Sequence, residues 1–236
     1  MTSRRDQQAV VTVLENDSDV PAGHLERVAA SRKATLESVR LFAGDPLPDP
    51  SQVDVVVVLG GEMGAYDSDT YPYLAREKTF LAEVAALRRP TLGICLGCQL
   101  LAEALGGSAY LADTPEYHLG PIEILQEDDV IEPLGSGPSF SLHRDTWVLP
   151  PGATLLGRTA RFNHAFRLGA AVGVQSHPEL TEGTLSVWLS TAEGADLARA
   201  AGTAADVIAG EFSSVADATE RVATNFFNAW FDHVGM

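Results

Sequence analysis

Cysteine is scarce in this sequence: Cys95 and Cys98 are all that 236 residues contain. That count excludes a disulfide framework. A structural zinc site would need a second ligand pair at metal spacing, and none is visible, so no metal or other cofactor is expected. Long apolar runs are missing too. The longest, about Val55 to Leu59, falls far short of a bilayer span, so no membrane partner is expected. The charged opening Met1 to Asp6 is not followed by an apolar stretch of leader length, which makes a cytoplasmic location the expectation. Positive charge is short: 16 lysines and arginines stand against 32 aspartates and glutamates, for a net charge of −16. Such a field repels phosphate backbones and argues against a nucleic-acid partner. There is no G-x-x-x-x-G-K-[ST] phosphate loop, no internal repeat and no low-complexity linker.

What is present suits a globular α/β chain of one domain, 1–236. Hydrophobic residues make up 45% and charged residues 20%, an ordinary balance for a folded protein. Ala9 to Leu14 reads as a buried strand, Ala22 to Arg32 as a helix and Thr35 to Phe42 as a second strand. Val53 to Leu59 is the clearest strand and ends in Gly60-Gly61. Tyr71 to Leu87 reads as a helix, Thr91 to Cys95 as a short strand, and Leu96 to Leu105 as a helix stopped by Gly106-Gly107. Short strands follow at Gly120 to Leu125, Ser139 to Leu142, Thr146 to Leu149, Phe166 to Leu168 and Ala171 to Gln175. Thr184 to Ser190 and Ala216 to His233 read as helices. Strands alternating with helices imply a mostly parallel central sheet covered on both faces, with a small antiparallel extension from the second half.

Gly93-Ile-Cys-Leu-Gly97 carries the strongest chemical signal. An apolar strand runs into glycine, a nucleophile-capable residue, glycine, and then a helix. The glycines permit a tight turn that lifts the side chain clear of the sheet. The helix N-terminus behind Cys95 favours a thiolate and offers backbone N–H groups to an oxyanion. Two other readings stand beside this one. Cys95 as a core cysteine would leave the flanking glycines without a purpose. A C-x-x-C redox pair fits the start of a helix, but such motifs open near the start of a small domain, and this one lies inside a longer α/β pattern. Cys98 itself reads as core packing. Gln175-Ser-His-Pro-Glu179 supplies a second half: a histidine after a strand, with a carboxylate two residues on and on the same face, stiffened by Pro178. His24, His164 and His233 read as surface or structural residues.

Gly93-Ile-Cys-Leu-Gly-Cys-Gln99 and Gln175-Ser-His-Pro-Glu179 together resemble the nucleophile and histidine–glutamate motifs of class I (triad) glutamine amidotransferases. Leu59-Gly-Gly61 resembles their upstream glycine turn. His143-Arg-Asp145 resembles an H-x-D segment of the branch related to the glutaminase domain of GMP synthase. Order and spacing agree from about Val10 to Leu180. The resemblance implies a flavodoxin-like three-layer fold. It also implies attack by Cys95 on the side-chain amide of glutamine, with His177 as base and Glu179 orienting it. The N–H groups of Leu96 and Gly61 would hold the oxyanion, and Gly60, Gln99, His143, Arg144 and Asp145 would line the glutamine pocket. Cys98, Ser176 and His118 depart from the common pattern without touching the triad. No synthetase module is visible, which points to a glutaminase feeding ammonia to a separate synthetase chain. The alternatives are a stand-alone γ-glutamyl hydrolase acting on γ-glutamyl amides or glutathione conjugates, and a non-catalytic binding protein that kept the fold.

Overall fold

A computed structural model of the protein describes residues 10–236. The charged opening Met1 to Asp6, and Ala9 as the start of the first strand, lie outside the described residues. The first half alternates strand and helix: β1 (Val10–Glu15), α1 (His24–Ser31), β2 (Thr35–Arg40), β3 (Val55–Val58), α2 (Tyr73–Ala86), β4 (Thr91–Ile94) and α3 (Leu96–Ala104). The second half runs β5 (Ser108–Gly120), β6 (Glu123–Ile124), α4 (Glu132–Gly135), β7 (Ser139–Val148), β8 (Thr154–Arg158), β9 (Asn163–Leu168) and β10 (Ala171–Val174). Four helices close the chain: α5 (Glu182–Ser190), α6 (Ala192–Ala200), α7 (Ala205–Ser214) and α8 (Ala216–Val234).

Eight strands form one sheet in the order β2-β1-β3-β4-β10-β9-β8-β6. Pairing is parallel from β2 to β10 and antiparallel from β10 to β6. The sheet is thus a doubly wound core with an antiparallel extension, as expected. The four valines of β3 show why both faces are covered. Val55 and Val57 join one apolar cluster with α1 and α8, while Val56 and Val58 join the other with α2 and α3. Each face of a strand takes alternate residues, so a strand buried on both sides reads as an unbroken apolar run. β2 lies at the sheet edge and is half exposed, which accounts for its imperfect alternation.

The second half differs from the sequence expectation in several places. Ser139 to Leu142 and Thr146 to Val148 are not in two strands but parts of β7, which pairs with β5 in a separate two-stranded sheet and ends one residue short of Leu149. His143 to Asp145, polar and turn-like by composition, therefore sit within a strand. The expected strand Gly120 to Leu125 is broken into the end of β5 and the two-residue β6. Helices α6 and α7 were not expected; they pack with α5 and β7 around Phe140, Leu185, Ile208 and Phe212. Among the described residues, no helix is long and apolar enough to cross a membrane.

Candidate active site

The parallel pairing of β4 with β10 brings Cys95 and His177 together. Each lies just past the carboxyl end of its strand, and the Cys95 N–H donates to the Val174 carbonyl at 2.9 Å. Cys95 caps α3 with φ 53° and ψ −112°, a backbone conformation that L side chains rarely adopt. The glycines around it are required by close approach. A Cβ on Gly97 would stand 2.3 Å from the Val58 oxygen, and one on Gly93 would stand 2.4 Å from the Gly97 oxygen. Only bare α-carbons let α3 start this close to β3 and β4.

His177 is buried and fixed at several points. Its N–H donates to the Phe140 carbonyl at 2.8 Å, and Nδ1 lies 2.7 Å from Glu179 Oε1. That leaves Nε2 free of Glu179, and the nearby Cys95 sulfur bears on the ring through its charge. Burial alone would lower the His177 pKa. The Cys95 sulfur and the Glu179 carboxylate overcome that and raise it to about 10. The Trp188 ring meets the imidazole edge-on, with centroids 4.9 Å apart, and its indole N–H donates to the Asp19 carbonyl at 2.5 Å.

Cys95 and His177 open into a cavity of about 610 Å³ that Gly61, Leu96, Gln99, His143, Arg144 and Asp145 also line. Glu179 lies behind the imidazole. Gly60 is packed beneath the pair rather than along the cavity: a Cβ there would lie 3.4 Å from His177 Cε1 and 3.5 Å from Cys95 Cβ. The Leu96 N–H opens α3 and so has no partner within the helix. Cys98 is fully buried on the opposite side, and a Cβ on Gly173 would lie 2.8 Å from its sulfur. Burial, followed by the Cys95 charge, pushes the Cys98 thiol well above its ordinary pKa. Its sulfur is a packing group.

This chain matches the family described as glutamine amidotransferase class-I over residues 22–189. It belongs to that family. Among class I amidotransferases it is similar to one subunit of the GMP synthase (glutamine-hydrolyzing) of Sulfolobus acidocaldarius, with 37% identity over 150 residues, 61% of this chain and 77% of the relative. A glutamine amidotransferase structure from Thermotoga maritima superposes with a TM-score of 0.83 at 24% identity, covering 95% of this chain and 98% of that one. One from Methylobacillus flagellatus gives 0.84 at 23% identity, covering 96% and 95%. At that identity the two structures speak for the fold alone.

Several residues around this amidotransferase site make contacts that the sequence motifs do not announce. Gln175 donates through Nε2 to Cys95 Sγ at 3.6 Å. Glu116 accepts from His143 Nε2 at 3.1 Å, His164 Nε2 at 2.7 Å and Thr159 Oγ1 at 2.7 Å. The Glu116, His143 and His164 ligand atoms lie within 4.8 Å of one another, close enough to hold a divalent cation, but here hydrogen bonds already join them. His164, read as surface or structural, is fully buried and structural.

Proposed function

We propose that this chain hydrolyses the side-chain amide of glutamine through a γ-glutamyl thioester on Cys95 and supplies the ammonia to a synthetase carried on a separate chain. The observation that carries this is the gathering of the Cys95 sulfur and the His177 imidazole at one cavity wall, with the Glu179 carboxylate bonded to the far ring nitrogen. His177 takes the thiol proton, and Glu179 holds Nδ1–H and offsets the imidazolium charge. The thiolate attacks the amide carbon, and the N–H groups of Leu96 and Gly61 receive the oxyanion. His177 gives its proton to the departing ammonia. It then draws a proton from the water that cleaves the thioester to glutamate. Gln99, His143, Arg144 and Asp145 border the space glutamine would occupy. The synthetase partner is supported by the Sulfolobus relative, which is itself one subunit of a GMP synthase. A cytoplasmic site of action goes with that reading.

Purified chain incubated with glutamine should release glutamate and ammonia in equal amounts, and a glutamine-analogue electrophile should leave a mass adduct on Cys95. Absence of both refutes the proposal. A second reading, cleavage of larger γ-glutamyl amides, draws on the cavity's size, which leaves room for more than ammonia. Asp17, Asp19, Glu62 and Glu193 at its wall disfavour anionic leaving groups such as glutathione conjugates. Comparing glutamine with neutral and anionic γ-glutamyl dipeptides separates the readings.

A further inference from the structure

A buried row of amides runs from the sulfur to a charged cluster, and the reaction as written leaves it unused. Its direction is forced by one group that only accepts, the Asp145 main-chain oxygen. That oxygen takes an N–H from Gln99 Nε2 at 3.1 Å and faces His143 Nδ1 at 2.8 Å. The Gln99 amide is thereby oriented, and its nitrogen also donates to Gln175 Oε1 at 3.3 Å. Gln175 must then turn its own nitrogen to Cys95 Sγ, 3.6 Å away.

The far end of the row is anchored by charge. His143 Nδ1 donates to the Asp145 carbonyl, so Nε2 faces Glu116. Burial works against an ionised Glu116, but the bonds from His143, His164 and Thr159 hold its carboxyl well below the ordinary range. His164, whose buried Nδ1 has no partner, donates through Nε2.

We propose that Gln175 is a positioning residue for the nucleophile: the row Glu116–His143–Asp145–Gln99 aims its amide N–H at the Cys95 sulfur, where it steadies the thiolate. Gln175 is fully buried and does not line the cavity, so it acts through Cys95 and not on substrate. A thiolate taken out of water needs donors in place of hydration, and hydrogen bonds to charged groups are the strong ones. The other groups bearing on this sulfur are His177 with Glu179 behind it, and the neutral Cys98 thiol on α3. The inference rests on the reading of Cys95 as nucleophile.

The test replaces the donor by an acceptor in Gln175→Glu and by an apolar side chain of similar length in Gln175→Met. It follows iodoacetamide alkylation of Cys95, mapped by mass spectrometry, alongside glutaminase kinetics. In both variants alkylation at neutral pH and kcat should fall about 10- to 100-fold, more in Gln175→Glu, with KM within about threefold of wild type. Alkylation should recover above about pH 9, as it would not if the site had merely collapsed. Glu116→Gln should reproduce the effect more weakly. A folded Gln175→Met that alkylates and turns over like wild type overturns the inference. So does a rise in KM at unchanged kcat, which would place Gln175 against substrate. Alkylation needs no glutamine, so a wild-type chain inert to glutamine would sink the proposed reaction and leave this result readable.

Discussion

The Glu179 carbonyl accepts the His24 N–H at 3.0 Å, so the residue that orients His177 rests on the first turn of α1. Gly23 makes this approach possible. It has φ 48°, and a Cβ there would stand 2.1 Å from that same oxygen. Gly23→Ala should therefore displace Glu179 and lower kcat by about tenfold or more, with a stability loss of about 1–3 kcal/mol from strain. Glutaminase assays beside thermal melts would show it; a variant with wild-type kcat would mean that α1 does not buttress the site.

Glu179→Gln keeps an acceptor near Nδ1 but removes the charge. His177 owes its raised pKa to the Cys95 sulfur and to Glu179, so losing the carboxylate lowers it. The basic limb of the pH–rate profile should move to lower pH, and kcat should fall by about 10²- to 10⁴-fold while staying measurable. A basic limb that stays in place would show that Glu179 is not coupled to the base.

Cys95→Ala and Cys95→Gly should both abolish turnover and both fold. They should differ in stability. The φ of 53° at this position strains any side chain, so the glycine variant should melt higher, by about 1 kcal/mol or more. Equal melting temperatures would mean that the elbow stores no strain. Turnover retained in either variant would remove the nucleophile from the scheme.

Glu77 is fully buried against Asn16, whose Nδ2 donates to Glu77 Oε1 and to the Leu59 carbonyl beside the glycine turn, both at 3.3 Å. Burial raises its pKa from 4.5 to about 8, with the Asn16 bond opposing. The folded state thus holds a proton that the unfolded chain gives up. The resulting stabilisation is complete below pH 4.5 and is lost as pH rises through about 8. Glu77→Gln should flatten this dependence and exceed wild type in melting temperature above pH 8. Parallel curves for the two proteins would contradict it.

The elbow and the His–Pro–Glu segment were legible because each needs an unusual local pattern: glycines on both sides of a nucleophile, and a proline-stiffened histidine and carboxylate after an apolar strand. The parallel core was legible for a related reason, since burial on both faces writes an unbroken run such as Val55 to Val58. Trp188 and Glu116 were not, nor was what Gln175 touches, although it opens the His–Pro–Glu segment. An amide, an indole and a carboxylate have no distinctive spacing, and what they do depends on which strand or helix packs beside them. Helix α6 is rich in alanine and lacks an apolar stripe of its own, with only Ala198 fully buried, so periodicity passed over it. His143 to Asp145 look like a turn in composition. Their partner strand β5, which holds them extended, lies about 30 residues upstream.

The neighbouring of β4 and β10 also sets a schedule. During synthesis the thiol leaves the ribosome some 80 residues before the imidazole, and β10, which stands between β4 and β9 in the finished sheet, is the last strand to be made. A partly translated chain therefore has a sulfur but no base, and cannot consume glutamine until the sheet has closed around its last strand.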